Sequence, residues 1–500
     1  MGFGGAYRPR DEPETPMTTT APRSTESPAV SPGTDGLLDW AVSYEPDEAG
    51  EAAAQVRYLL LDHAANALGG LTAESSCLVR RYAAGRAGAV PAPGGHALLE
   101  EYAAFVAGVS AHALESDDTH QASSSHPGSA VFPAVLALAT AEGASFDEVV
   151  TASVVGYEVM ARIGMTATVQ GQYDRGFHPT GTTGVFGAAA AASRLLGLDA
   201  AAMRSALGIS LSLAAGSMAF LVDGAWTKRL HPGWAAHGGL LAARLAAEGF
   251  EGPRDPICGP DGYLHSYSDT PTGDDTAERL TEGLGSSPLA IDRTSIKAHA
   301  CCRYKQAPID AVLDLVATHD IAPEQVARIR VGVLEAGWNI IAAPEADKRR
   351  PASIVDAQFS MPFGAAVAAL HRSAGTRQYT PGVIASPEVA ALMDRVECYR
   401  SDDLDAVFPE RWPAEVVIEL RDGGSVSRRV DYPKGDPENP LSLPELQAKF
   451  RDLTAGTVTP PGQSQVIEAA AALGEGVTPG EFAALVGSEA ILEAAAAEIG

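Results

Sequence analysis

The chain has 500 residues, of which 46% are hydrophobic and 20% are charged, an ordinary balance for a globular protein. A single hydrophobic core rarely serves so long a chain, so we expect two domains. The net charge of −27 repels nucleic acid and anionic lipid, which argues against nucleic acid or a membrane as a partner.

Residues 1–35 are rich in Pro, Ser, Thr and Gly and are predicted to be a disordered extension, because this composition cannot build a core. Residues 36–275 are rich in alanine, and their apolar residues recur at spacings of three and four. This pattern predicts a large all-helical domain.

The pattern changes over residues 276–439, for which we predict a smaller α+β domain. Residues 327–335 alternate as a strand does, and residues 415–433 predict two strands around a turn at Asp422. Segments 307–319 and 356–372 between them have helical spacing, as do residues 440–500, which we expect to complete the first domain. The fold class is therefore mainly α, with a large helical domain and a smaller α+β lid.

The first polar run lies between two apolar helical segments and combines histidines, acids and hydroxyl groups. Loops between rigid elements concentrate such groups at functional sites, although a solvated loop with a helix cap is the alternative. Its candidate site residues are Glu115, Asp117, Asp118, Thr119 and His126, with His112 and His120 in the same run.

Two further runs each precede or begin a helix. Residues 175–184 contain His178 before an alanine-rich helix, whose N-terminus would attract an anion. The alternative is a helix-start loop with a buried histidine. Residues 223–233 contain Lys228, one of only six lysines, and a compact ammonium suits a carboxylate clamp or a proton transfer. A surface Lys-Arg pair is the alternative here.

A fourth run, residues 297–305, contains the adjacent Cys301 and Cys302. The five cysteines are irregularly spaced without a CxxC pair, so we expect a reducing compartment and no disulfide framework or structural zinc. Cys302 could act as a nucleophile, and a basic surface turn with packed thiols is the alternative. The N-terminus lacks the apolar region of a signal peptide, so we expect a cytoplasmic protein.

Taken in order, these runs resemble segments of the MmgE/PrpD family, whose members include 2-methylcitrate dehydratase and cis-aconitate decarboxylase. The resemblance covers about Leu37 to Leu453 and implies a homodimer whose active site lies between the helical domain and the lid. The matching segments are HALESDDTH…SSSHPGS, GFHPTGTTG, DGAWTKRLHPGWAAHGG, IKAHACCRYKQAPIDA, RRPASIVDAQFSMPF and YPKGDPENPLS.

The family's site positions in the decarboxylase branch map onto this chain one by one. His126, His178 and Lys228 match in kind and are the implied catalytic residues. Thr119 also matches, whereas Glu115 replaces an aspartate. The implied substrate-binding residues are Glu115, Thr119 and Cys302, to which the polar run itself adds Asp117 and Asp118. On the lid side, Cys302 stands in place of a histidine and Phe363 in place of a tyrosine.

The resemblance implies a lyase, either a dehydratase or a decarboxylase, that acts on a small polycarboxylic acid without a metal or other cofactor. A lysine and protonated histidines would stabilise the negative charge that develops beside a carboxylate, and one histidine would move the proton. An isomerase or epimerase of a dicarboxylic or imino-diacid, and a non-catalytic ligand-binding relative, remain alternatives.

Overall fold

Alanine-rich segments form the helices of the first domain, as their spacing predicts. The computed structural model describes residues 30–46, 50–271, 273–286 and 288–497. The helices of the first domain are α1 (Pro32–Ser43), α2 (Glu51–Gly69), α3 (Glu74–Ala83), α4 (Glu100–His112), α5 (Pro127–Glu142), α6 (Phe146–Thr166), α7 (Val169–Asp174), α8 (Pro179–Leu195), α9 (Ala200–Leu213), α10 (Thr227–Ala247), α11 (Tyr263–Tyr267) and α12 (Asp274–Thr281). Short strands β1 (Ala87–Pro91), β2 (Ala97–Leu98), β3 (Thr119–His120) and β4 (Thr294–Ser295) accompany them.

A glycine contact sets the close crossing of α4 and α10. A Cβ atom added to Gly108 of α4 would lie 2.7 Å from the Cα atom of Gly233 in α10, so neither helix could carry a larger side chain there at this spacing. The two helices run antiparallel, and the crossing brings His112 at the end of α4 to Lys228 at the start of α10. The crossing therefore assembles part of the first and third polar runs.

The second domain combines helices with a four-stranded sheet in the order β6-β5-β7-β8. Strand β5 pairs with β6 in parallel, whereas β5–β7 and β7–β8 are antiparallel. The strands are β5 (Val326–Val333), β6 (Val396–Arg400), β7 (Ala414–Leu420) and β8 (Ser425–Val430), and the helices are α13 (Gln306–Thr318), α14 (Glu335–Ile341), α15 (Glu345–Lys348), α16 (Ile354–Gln358), α17 (Met361–His371), α18 (Pro381–Ile384), α19 (Pro387–Met393) and α20 (Asp402–Asp405). The predicted fold class, mainly α with a smaller α+β part, is confirmed.

One predicted helix of this domain is divided. The segment 356–372 forms α16 and α17 with a break between them, because Ser360 caps α17 by accepting a hydrogen bond from the backbone N–H of Phe363. The break places Phe359 outside both helices, where its ring faces the first domain.

The C-terminal helices α21 (Leu443–Leu453), α22 (Pro460–Ala471), α23 (Pro479–Val486) and α24 (Ala494–Ala497) follow the second domain along the chain. Leu446, Phe450, Val466 and Phe482 from these helices belong to the same hydrophobic core as the helices of the first domain. The end of the chain therefore returns to the first domain.

The N-terminal boundary differs from the expectation. Residues 1–29 of the predicted disordered extension lie outside the described residues. The predicted end at residue 35 is too late, because Ser31 caps α1 and the Thr34 hydroxyl donates to Asp255 at 2.6 Å. No helix in the described part of the chain combines the length and apolar character needed to cross a membrane.

Candidate active site

Buried hydrogen bonds fix the loop between α4 and α5, which carries the first polar run. His112 Nδ1 lies 2.7 Å from Oδ2 of Asp117, and the Ser129 hydroxyl donates to the same oxygen at 2.6 Å. From α21, Lys449 donates to the carbonyl oxygen of Ser116 at 2.6 Å. Because three helices hold it, the loop presents its side chains in a fixed arrangement.

Two buried lysines meet two buried carboxylates beside this loop. Lys228 forms an ion pair with Glu115, and its Nζ lies 3.0 Å from Nε2 of His112. Lys297 Nζ lies 3.2 Å from Oδ1 of Asp117 and 3.5 Å from Oε2 of Glu115. Two positive and two negative charges therefore offset each other in this cluster.

The pKa shifts of these groups follow from their contacts. Burial alone would raise the pKa of Glu115, but Lys228 and Lys297 hold that pKa well below its usual range. Burial would lower the pKa of Lys297, but Asp117 and Glu115 outweigh burial and raise it. Burial lowers the pKa of Lys228, with the Glu115 carboxylate opposing the shift. Glu115 and Lys297 are thus fixed in their charged forms.

Three histidine rings, His112, His126 and His178, form a triangle with ring centroids 4.9–6.2 Å apart. Nδ1 of His126 lies 2.6 Å from the carbonyl oxygen of Asp118. A carbonyl only accepts, so Nδ1 carries the proton, and Nε2 of the neutral ring has a free lone pair. Nε2 makes no hydrogen bond to any described residue. His126 can therefore accept a proton from a molecule in the site.

The third ring is linked to a fourth histidine. Nδ1 of His178 lies 3.0 Å from Nδ1 of His231, so the two rings share one hydrogen bond. His178 precedes α8, where its backbone N–H is bonded to Gly216. The second and third polar runs thus meet through these two rings.

Burial favours the neutral form of the histidines in this cluster. It lowers the pKa of His126 and of His178 well below the usual histidine value; Lys297 and Lys228 lower the pKa of His126 further, and Lys228 lowers that of His178. Burial also lowers the pKa of His112, although Asp117 opposes the shift. Burial thus opposes the expected protonated form, so a histidine of this cluster needs a nearby negative charge to become an imidazolium.

Asp118 and Thr119, both expected to bind substrate, form hydrogen bonds within the loop and to neighbouring helices. The Asp118 carboxyl group accepts hydrogen bonds from Gly128 N–H at 2.9 Å and from the Tyr157 hydroxyl at 2.8 Å. Burial, reinforced by the charge of Asp117, raises the pKa of Asp118 to about 8. The Thr119 hydroxyl lies 3.1 Å from Nδ1 of His126. Asp118 thus joins the loop to α5 and α6, whereas Thr119 contacts a catalytic candidate.

The lid contributes different groups from those that the family pattern suggests. Cys302 is buried, and burial raises its pKa to about 11, so it is a neutral thiol rather than a nucleophilic thiolate. Phe363 lies fully in the lid core, with its ring centroid 5.4 Å from that of Tyr379. Tyr379 lines the cleft between the domains, where its hydroxyl accepts a hydrogen bond from Lys305 at 3.2 Å.

Two phenylalanines cover the histidines and Lys228. The Phe220 ring lies 6.2 Å from the rings of both His178 and His231 and 6.1 Å from the ring of Phe359. The Lys228 ammonium lies over the Phe359 ring at 5.3 Å from its centroid. This apolar cover excludes water, which strengthens the electrostatic interactions beneath it.

Nitrogen atoms of His112, His126 and His178 lie close enough together to suggest a metal site, all within 4.8 Å of one another. The hydrogen bonds do not fit that role. Nδ1 of each ring is already bonded, and Nε2 of His112 faces the Lys228 ammonium at 3.0 Å, where a cation would be repelled. The arrangement suits the carboxylate of a bound molecule instead.

Three residues of this cluster were not assigned a role from the sequence: His112, His231 and Lys297. His112 and His231 lie within the polar runs already singled out. Lys297 is a rare lysine near the start of the cysteine run, and its scarcity was the one available signal. Pairing of β3 with β4 brings Lys297 to Asp117, since Thr119 pairs with Ser295.

The fold and the site together define a two-domain helical protein with a buried acid–base cluster at the boundary between its domains. The MmgE/PrpD N-terminal domain matches residues 35–274, and the MmgE/PrpD C-terminal domain matches residues 299–475. The chain belongs to the MmgE/PrpD family, which confirms the resemblance.

Curated relatives cover most of the chain. Human cis-aconitate decarboxylase is 30% identical over 363 residues, which are 70% of this chain and 72% of that protein. Cis-aconitate decarboxylase of Aspergillus terreus is 28% identical over 480 residues, 89% of this chain and 94% of the relative. The cis-aconitate decarboxylase-like protein oryM of Aspergillus oryzae is 28% identical over 408 residues, 77% of this chain and 82% of the relative.

Proposed function

We propose that this protein is a cofactor-independent lyase that removes CO₂ or water from a small polycarboxylic acid by moving a proton beside a carboxylate. The observation that carries the proposal is the convergence of Lys228 and Lys297 with His126 and His178 beneath an apolar cover. The relatives named as cis-aconitate decarboxylases support the same reaction class.

Charge explains how such a site accepts a polyanion. The lysines are already matched by Glu115 and Asp117, so within this inner cluster further positive charge must come from the histidines. The carboxylates of a bound substrate favour the imidazolium form and raise the pKa of His126 and His178. Substrate binding therefore favours uptake of a proton from solvent by one of these two rings, which then faces the bound acid as an imidazolium.

The chemistry balances without an added reactant. In decarboxylation, the bond between a carbon and its carboxylate breaks, CO₂ leaves, and the electron pair delocalises into the neighbouring double bond. Protonated His126 then donates a proton to that carbanion. In dehydration, neutral His126 removes a proton beside a carboxylate, and the hydroxyl group leaves as water with a proton from His178. In both reactions Lys228 stabilises the negative charge that develops.

A panel of tricarboxylic acids, hydroxylated tricarboxylic acids and imino-diacids tests the proposal. A lyase would be supported if wild type releases CO₂ or forms a new alkene, if His126→Gln does not, and if His319→Gln still does. His319 is an exposed histidine and serves as the matched control. Inverted chirality without loss of CO₂ or water would favour the isomerase alternative, and no conversion of any acid would overturn the proposal.

We also propose that the protein is a homodimer that associates through an apolar patch formed by α3, α4 and α10. Tyr82, Tyr102, His237 and Trp234 form a chain of ring contacts with centroids 5.2–6.4 Å apart. Tyr82 is 57% exposed, and Leu230 extends the same helix face as Trp234. A continuous exposed apolar patch of this kind is typical of an interaction surface, and a second copy is the partner that the family resemblance implies.

A further inference from the structure

Arg229 is a buried cation without a carboxylate partner. It follows Lys228 in the first turn of α10 and is 8% exposed, so the two residues are not the surface pair that the sequence offered as an alternative. Within the described residues, the one hydrogen bond of its side chain runs from Nη1 to the Ser75 hydroxyl at 3.3 Å. Among the described residues, no acidic side chain forms an ion pair with it. Guanidinium groups inside proteins are usually paired, so this charge lacks its counterion.

Arg229 lines the cleft between the two domains, whose volume is about 420 Å³, within the usual range for small-molecule pockets. Leu114 of the first domain and Gln358 of the lid line the same cleft. Each of these three residues is next in sequence to a residue of the inner cluster or its apolar cover. Arg229 follows Lys228, Leu114 precedes Glu115, and Gln358 precedes Phe359. The cleft therefore lies directly beside the inner cluster, on the same boundary between the two domains.

The acidic groups nearby do not fill the role of counterion. The charge of Glu115 acts on Arg229, but that carboxylate is already bridged by Lys228 and Lys297. Glu74 also lines the cleft, yet it is exposed and forms no ion pair with Arg229. An anionic group brought in by a ligand would supply the missing charge, and the planar guanidinium can hold a carboxylate with two parallel hydrogen bonds.

We propose that Arg229 binds the outer carboxylate of the substrate and so selects acids that carry a further carboxylate beyond the reacting carbon. This inference rests on the proposed function, because it assigns one end of the same substrate. Lys228 and Lys297 hold the inner carboxylate, and Arg229 holds the outer one. An acid that lacks the outer carboxylate leaves Arg229 without a counterion and binds more weakly.

Calorimetry with two unreactive acids tests this assignment without relying on turnover. Tricarballylate carries three carboxylates, and methylsuccinate is the same skeleton with one terminal carboxylate removed. We expect wild type to bind tricarballylate about 10–100-fold more tightly than methylsuccinate, the worth of a charge-assisted hydrogen-bonded pair. Arg229→Gln should lose this preference by weakening tricarballylate alone, Arg229→Lys should retain part of it, and the surface variant Arg328→Gln should retain all of it.

The outcomes separate the two claims. If wild type prefers tricarballylate and Arg229→Gln or Arg229→Lys keeps the full wild-type preference, the outer carboxylate is held elsewhere and the assignment of Arg229 is overturned. If folded wild type binds neither acid, the proposed polycarboxylate site fails and this inference fails with it. If Arg229→Gln does not fold, the Arg229→Lys variant is used instead, and partial retention of the preference for tricarballylate supports the assignment. If wild type itself binds the two acids equally, the assignment is overturned.

Discussion

Replacing Lys228 with methionine removes the buried ammonium group that pairs with Glu115 in this cluster. The side chain is nearly fully buried, pairs with Glu115 and donates toward Nε2 of His112 at 3.0 Å. Methionine has a similar length and fills the same space, so the change removes charge with little loss of packing. Glu115 is then left with Lys297, 3.5 Å away, as its remaining cation.

Two effects of different size follow from this geometry. Removing one partner of a buried ion pair leaves the other charge buried, at a cost of about 3–5 kcal/mol in the free energy of unfolding. The contact between Lys297 and Glu115 offsets part of that cost, so we expect the lower end of the range. Loss of a preorganised cation at the reacting centre should lower kcat by about 10²–10³-fold.

A double variant separates these effects. Lys228→Met with Glu115→Gln removes both charges, so urea unfolding should recover most of the stability lost by Lys228→Met alone. Its rate should stay as low as that of the single variant, because the cation is still missing. Near-wild-type turnover by Lys228→Met, or a double variant no more stable than the single one, would refute this account of the ion pair.

The remaining predictions concern proton transfer, metals, pH and assembly. His126→Gln should lower the rate by about 10²–10⁴-fold, and a larger loss with His178→Gln would reverse the two roles. Exhaustive dialysis against a chelator should leave the rate unchanged, and recovery of a lost rate by added metal would contradict the reading of the histidine cluster. Burial lowers the pKa of His120 to about 4, with Arg293 adding to the shift, so the unfolded chain binds a proton first as pH falls below 6.5. As the pH falls from 6.5 to 4, the free energy of unfolding should therefore decrease in wild type by about 1.4 kcal/mol per pH unit more than in His120→Asn. An equal dependence on pH in the two proteins would argue against a lowered pKa of His120. Tyr82→Glu should yield monomers in analytical ultracentrifugation, whereas Leu443→Glu, at 52% exposure against 57% for Tyr82 but outside the patch, should not.

The fold class followed from the sequence because its signals are local. Alanine-rich segments with helical spacing form helices in the structure, and the alternating residues of β5, β7 and β8 form strands around the predicted turn. The break between α16 and α17 was missed because a short Ser-x-Pro cap interrupts an otherwise continuous apolar pattern.

The site was only partly predictable, since its members come together through tertiary contacts. The polar runs singled out His126, His178, Lys228 and Glu115 as candidates, and only the family resemblance implied that they share one site. Lys297 was missed because its position depends on the pairing of β3 with β4, and strands of two residues leave no pattern in a sequence. The low histidine pKa values likewise depend on burial by Phe220 and Phe359, which no local motif encodes.

Turnover in D₂O followed by NMR tests the central claim most directly. Wild type is incubated with each acid of the polycarboxylate panel, and the same experiment is run with His126→Gln and His319→Gln. We expect wild type and His319→Gln, but not His126→Gln, to convert one acid of the panel. The product should either have lost CO₂ and gained deuterium at the carbon beside a carboxylate, or have lost water together with a hydrogen from that carbon. Product formation that is as fast in His126→Gln as in wild type, or unchanged spectra for every acid, would contradict it.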